Sequence, residues 1–179
     1  MSEKRDLATL PPRFAAWFKS RGWAAHDHQL AVLAAVQAGR SALLIAPTGG
    51  GKTLAGFLPS LVELAEVEPP EKAKAKRTGI HTLYISPLKA LTVDVARNLE
   101  TPIAEMGLPI ESETRTGDTP QNRRQRQRKH PPHILLTTPE SLALLLSYDE
   151  APEYFSELRT VIIDELHALA DSKRGQLLS

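Results

Sequence analysis

Few short stretches restrict a fold as tightly as IAPTGGGKT, residues Ile45 to Thr53. It ends the short apolar run SALLIAP, a pattern that suits a parallel strand covered on both faces. It precedes apolar positions at helical spacing: Leu54, Phe57, Leu58, Leu61 and Val62. Strand, glycine-rich turn and helix form the context in which a G-K-T ending reads as a phosphate-binding loop. Outside that context it reads as a turn with a surface lysine. Gly49, Gly50 and Gly51 let the backbone turn tightly and aim N–H groups at an anion. The helix start adds the positive end of its dipole. Lys52 is a mobile point charge suited to β and γ phosphates, and the Thr53 hydroxyl is a magnesium ligand. Ala46 stands where the general pattern has its first glycine. Pro59 falls inside the helix and is expected to bend it, because it removes one backbone donor.

A phosphate loop needs a nearby carboxylate to hold the metal, and VIIDELH supplies one. Asp164 stands at the carboxyl end of an apolar strand, the edge where parallel sheets place ligands, and is expected to hold magnesium through water. Glu165 is placed to position and polarise an attacking water. His167 is a candidate sensor of the γ phosphate. Taken alone, the acidic pair also fits a solvated turn, and His167 a surface or capping histidine. The two nucleotide motifs together, in this order, favour a nucleoside triphosphate bound with Mg2+.

The rest of the chain alternates in the same way. PPRFAAWFKSRG sets Phe14, Trp17, Phe18 and Arg21 at helical spacing with Gly22 as a stop. A second helix fits Asp27 to Ala38, with Asp27 as N-cap and Gly39 just past its end. EVEPPEKAKAKRTG reads as an exposed, polar connection. Strands follow at HTLYISP, IESETRTG, HILLTTP and TVIIDEL, with helices at LKALTVDVARNLE, from Pro120, and at ESLALLLS. Strands and helices alternating at these lengths predict an α/β fold with a parallel sheet and right-handed crossovers, flanked by helices on both faces. A chain of 179 residues is long enough to bury a full core. With no cysteine, disulfides and thiolate metal sites are excluded. The net charge of +1 places any polyanion binding in local patches. One such patch is QNRRQRQRKH, with Arg123, Arg124, Arg126, Arg128 and Lys129, open between nucleic-acid contact and a plain solvated helix. No run has signal-peptide character or membrane-spanning length, so the expected location is the cytoplasm, with no membrane partner.

Together, APTGGGKT and DELH resemble the first motor domain of a superfamily 2 DExH-box helicase, whose A-x-T-G-x-G-K-T loop accounts for Ala46 and Thr48. SPLKAL, TRTGDTP and TTPESL resemble the large helicase-related proteins. With LPPRFAAWFKSRGW, the chain is most similar to bacterial ligase-associated DExH-box DNA helicases. The resemblance implies a RecA-like P-loop NTPase domain over 41–179, preceded at 1–40 by helices that carry an adenine-reading glutamine. Gln29 is the matching position, behind Ala25, His26 and Asp27 where the family often has a proline. The alternative for Gln29 is a buried or helix-surface glutamine. Trp23 reads as a core aromatic, with packing near the base as the alternative. The loops are implied to hold single-stranded nucleic acid by phosphate and sugar. Their residues are Ser86, Pro87 and Lys89; Thr116, Gly117, Asp118 and Thr119; and Thr137, Thr138, Pro139 and Glu140. Pro87 is placed to begin a helix.

The implied activity is that of an ATP-dependent DNA helicase or translocase on single-stranded DNA, in DNA repair, with a DNA ligase or nuclease as partner. Nothing here resembles the family's second motor domain. The chain is therefore expected to be a fragment that binds ATP weakly, hydrolyses it slowly and does not unwind alone. An RNA helicase, a nucleotide-dependent interaction module without translocation, and a transport or assembly ATPase remain as alternatives.

Overall fold

In the computed structural model, residues 9–46, 49–66 and 78–170 are described. Thr48 and residues 67–77 of the polar connection lie outside the described residues. The chain divides into two units, residues 1–68 with 101–108, and residues 69–100 with 109–179.

The first unit is helical. α1 (Pro12–Ser20) buries Phe14, Trp17 and Phe18, the apolar set that its periodicity predicts. The chain turns at Gly22, φ +67°, and two backbone bonds close the helix end: Gly22 N–H to Lys19 O at 3.0 Å and Trp23 N–H to Phe18 O at 2.9 Å. That turn overturns the core placement of Trp23. The ring lies past the helix end, 54% exposed, edge-on to Trp17 at 5.8 Å and under the Arg21 guanidinium at 5.4 Å. α2 (Asp27–Gln37) has His26, not Asp27, as its N-cap. Asp27 already has helical geometry, and the His26 N–H is satisfied by Gln29 Oε1 at 2.9 Å. α3 (Lys52–Glu66) runs through Pro59 and buries Phe57, Leu58, Leu61 and Val62, as their spacing predicts.

The apolar run before α3 is not a strand. Ser41 to Ala46 carry no strand pairing, and Leu43 and Ile45 are 74% and 88% exposed. An apolar run becomes a strand only where a neighbour completes its backbone hydrogen bonds, and the observed sheet is made by four later segments.

Those segments lie in the second unit: β1 (Thr82–Ile85), β2 (Ser112–Arg115), β3 (Ile134–Thr137) and β4 (Thr160–Ile163), in the order β2-β3-β1-β4. All pairs are parallel. β1 and β3 are fully buried along their length, consistent with their unbroken Leu- and Ile-rich sequences. The helices are α4 (Lys89–Glu105), whose last residues belong to the first unit, α5 (Gln121–Lys129), α6 (Pro139–Leu146), α7 (Ala151–Tyr154) and α8 (Leu166–Ala170). Ile80, Leu83, Ile85, Leu135, Leu142, Leu145 and Tyr154 form a buried cluster. α4 starts at Lys89, so Pro87 does not begin it. TVIIDEL is strand only to Ile163, which leaves Asp164 just beyond β4. No helix among the described residues is long and apolar enough to cross a membrane.

Candidate nucleotide and nucleic-acid site

In the first unit, the glycine loop has the backbone its sequence requires. Gly49 and Gly51 hold φ of +83° and +70°, the left-handed region that costs glycine nothing. α3 starts directly after them, and its first hydrogen bond runs from Ala55 N–H to Gly51 O at 3.0 Å. Lys52 folds back and donates Nζ to Ala46 O at 2.7 Å. Its charge thus rests on a neutral carbonyl, an arrangement that an anionic phosphate can displace. Thr53 is part-buried in the first turn. Gln29, 2% exposed, donates Nε2 to Gly51 O at 3.3 Å while Oε1 accepts from His26. A Cβ on Gly51 would stand 2.7 Å from Gln29 Nε2 and 3.5 Å from His26 Cδ2. The glutamine therefore touches the phosphate loop itself, a contact that sequence spacing does not reveal.

In the second unit, four loops leave the carboxyl ends of four parallel strands and share one edge of the sheet. After β4, Asp164 N–H extends the ladder to Ile85 O at 2.9 Å. Both carboxylate oxygens of Asp164 are held: Oδ2 accepts from Tyr84 Oη at 2.6 Å and Oδ1 from Glu165 N–H at 2.9 Å. Burial, and then the hydrogen bond to Asp164, keep the Tyr84 phenol well above its ordinary pKa. Tyr84 was not among the residues singled out in the sequence. The signal was available, because a hydroxyl on a strand otherwise fit for a core needs a partner when buried. Glu165 is the one described non-glycine residue with positive φ, +48°. Such strain persists where the surroundings hold it, and it concentrates at functional sites. His167 is largely exposed, with Nε2 3.3 Å from Glu165 Oε2.

The other three loops differ in what they present. Ser86 is buried, and its N–H donates to Thr137 O at 3.1 Å. Thr137 is buried too, its hydroxyl donating to Arg115 O at 2.7 Å. Thr138 caps α6 in extended geometry, with its hydroxyl 3.3 Å from Ser141 Oγ; Pro139 is buried and Glu140 exposed. Thr116 N–H donates to Thr119 Oγ1 at 2.9 Å, and Thr119 N–H to Thr116 O at 3.1 Å, which makes a tight turn with Gly117 and Asp118 exposed at its tip. Lys89 reaches across to Asp118 at 2.9 Å. Among the described residues no cluster of three or more His, Asp or Glu could hold a metal. Magnesium in NTPase sites needs no such cluster, because one or two protein oxygens, water and the phosphates themselves hold it.

The family profile described as DEAD/DEAH box helicase matches residues 26–179. The chain is 44% identical over 181 residues to the Lhr helicase/probable uracil glycosylase of Mycolicibacterium smegmatis, covering 93% of this chain and 12% of that protein. It is 40% identical to the ATP-dependent helicase Lhr-Core of Methanothermobacter thermautotrophicus, covering 95% of this chain and 20% of that one. A solved structure of Mycobacterium smegmatis helicase Lhr bound to ssDNA and AMP-PNP superposes with a TM-score of 0.82 at 42% identity, over 94% of this chain and 22% of that one. The chain thus spans about a fifth or less of the length of these relatives. With the parallel α/β sheet, the phosphate loop and the DELH turn in place, the chain belongs to the DEAD/DEAH box helicase family.

Proposed function

We propose that this chain is the ATP-binding RecA-like domain of an ATP-dependent DNA helicase or translocase that grips single-stranded DNA. Residues 41–179 make the nucleotide-binding domain, and residues 1–40 carry the glutamine that serves it. The observation that carries the reading is the loop at the start of α3: two left-handed glycines, a lysine parked on a neutral carbonyl, and a glycine whose Cβ would press on the Gln29 amide. The similarity to a helicase bound to ssDNA and AMP-PNP supports both ligands.

When bound, MgATP supplies the γ-phosphoryl group and a metal that neutralises its charge. Gly49, Gly50 and Gly51 would offer backbone N–H groups to the phosphates, for which Lys52 would leave Ala46 O; Thr48 belongs to the same set by its place in the motif. The Thr53 hydroxyl and the Asp164 carboxylate would serve as metal ligands, Asp164 being held by the Tyr84 hydroxyl. Glu165 orients the attacking water, and His167 responds to the γ phosphate through its contact with Glu165. The Gln29 amide keeps one N–H beyond its bond to Gly51 O for the adenine edge. The strand lies on the loops after β1, β2 and β3, with Lys89, Gly117, Asp118 and Glu140 at the surface. A role in DNA repair, a ligase or nuclease partner and a cytoplasmic setting belong to the same reading.

Titration with a fluorescent ATP analogue and magnesium tests it. The native chain binds, and Lys52→Ala weakens binding at least tenfold. Equal binding by both proteins rejects the nucleotide site. Anisotropy with oligo-dT and oligo-U then separates DNA from RNA: tighter capture of oligo-U moves the reading to an RNA helicase.

A further inference from the structure

The basic helix α5 is the one motif of the sequence that the proposed function leaves without a role. Arg123, Arg126 and Lys129 are exposed and Arg124 and Arg128 half-buried, yet among the described residues all but Lys129 are engaged by the protein itself. Glu113 on β2, with its side chain 15% exposed, pairs with Arg123 Nε at 3.1 Å and with Arg126, and accepts from Gln127 Nε2 at 2.8 Å. Gln127, fully buried, also donates to Thr114 O at 3.0 Å. Arg128 lies 4.5 Å from the centre of the Tyr148 ring. These contacts fix the rotation of α5 against β2 and set Arg124 toward the turn that follows the strand.

Three hydrogen bonds complete the arrangement. Arg115, the last residue of β2 and 1% exposed, donates Nη1 to Arg124 O at 3.2 Å. Arg124 donates Nη2 to Thr116 O at 3.2 Å and to Gly117 O at 2.6 Å. A trans peptide sets its carbonyl and its N–H on opposite sides. With the Thr116 carbonyl drawn to Arg124, the N–H of the exposed Gly117 faces away from it. That is the orientation a backbone donor needs to meet a strand phosphate.

We infer that Arg124 is a positioning residue for strand binding, which fixes the Thr116–Thr119 turn from beneath and does not itself touch nucleic acid. This rests on the reading of that turn as a phosphate contact, and two measurements on the full chain separate the two claims. Native-state hydrogen exchange needs no ligand: Arg124→Ala speeds exchange at the Thr116 and Thr119 amides at least tenfold and leaves β1 and β3 protected. Unchanged exchange overturns the clamp whatever the turn binds. Anisotropy with oligo-dT over a salt series is the second measurement. Arg124→Ala weakens affinity about three- to tenfold with the salt dependence preserved, and Lys129→Ala, at an exposed cation on the same helix, changes neither. A slope lower by about 0.7, the share of one phosphate contact on a single strand, makes Arg124 a direct contact and overturns the proposal, as does an unchanged affinity. Loss of the clamp in exchange, with no oligo-dT binding even by the native chain, removes the strand-binding reading and leaves the clamp standing. If Arg124→Ala does not fold, Glu113→Gln, which loosens α5 while Arg124 remains, is read by the same two criteria.

Discussion

The Tyr84 hydroxyl and Asp164, 2.6 Å apart, form a part-buried donor and acceptor that stand or fall together. Tyr84→Phe leaves one carboxylate oxygen without its donor, and a loss of about 1 kcal/mol in denaturant unfolding is expected. The pH dependence has a definite sign. The folded phenol is held above its ordinary value, so the folded state keeps a proton that the unfolded chain loses above about pH 10. The stabilisation is complete below that pH and falls as pH rises beyond it. Melting temperatures between pH 9 and 11 drop for the native chain and drop less for Tyr84→Phe. Tyr154, also raised, foremost by burial, leaves a residual slope in both. Gly51 is the second residue with a sharp expectation. Gly51→Ala meets Gln29 Nε2 at 2.7 Å and forces alanine to φ +70°. The backbone alone costs about 1 kcal/mol or more. A cycle with Gln29→Ala recovers the clash and not the backbone part, readable from thermal melts of the four proteins. The sequence signals that a buried Tyr84 hydroxyl needs a partner, but neither that partner nor the Gln29–Gly51 contact was legible, because each joins residues far apart in the chain. Lys52 and Asp164 could be singled out from the sequence because local pattern alone defines their setting.

At the scale of elements, α1 is tied to residues 101–108 by a carboxylate. Glu105 accepts from Trp17 Nε1 at 2.8 Å and pairs with Arg21 at 2.6 Å. The indole bond first, and the Arg21 charge with it, hold the Glu105 carboxyl below its usual range. A depressed carboxyl contributes stability that is present above about pH 4.3 and lost as pH falls through its folded value. Tryptophan emission of the native chain is expected to shift in that acid window, while Glu105→Gln, which has no proton to gain, shifts little. Most elements could be read in advance. α1, α3 and α5 start within a residue of where periodicity and proline place them, and β1, β2 and β3 lie inside the strands read from the sequence. The failures share a cause. SALLIAP has the composition of a buried strand, but pairing is a property of two segments, and composition describes one. Asp27 has the side chain of an N-cap, yet Gln29 satisfies the backbone from within the helix and moves the cap to His26.

For the whole molecule, ligand binding to the folded state is the measurement that reaches furthest. A ligand at a hundred times its dissociation constant adds about 2.7 kcal/mol. In a chain of this size that corresponds to a melting increase of roughly 5–10 °C. MgATP is expected to produce it in the native chain and to lose it in Lys52→Ala, as scanning calorimetry can record. The α/β alternation was legible in the sequence because each strand and helix announces itself locally. The division into two units was not, because nothing local marks where α4 passes from one to the other. Glu165, with φ +48°, carries a final implication for the whole molecule. Glycine at 165 would relax that backbone and raise thermal stability by about 1 kcal/mol, while removing the carboxylate that faces His167. A library of variants screened only for survival on heating would therefore drift toward glycine at this position and discard the proposed water-orienting group. Any effort to harden this scaffold has to score turnover alongside heat resistance.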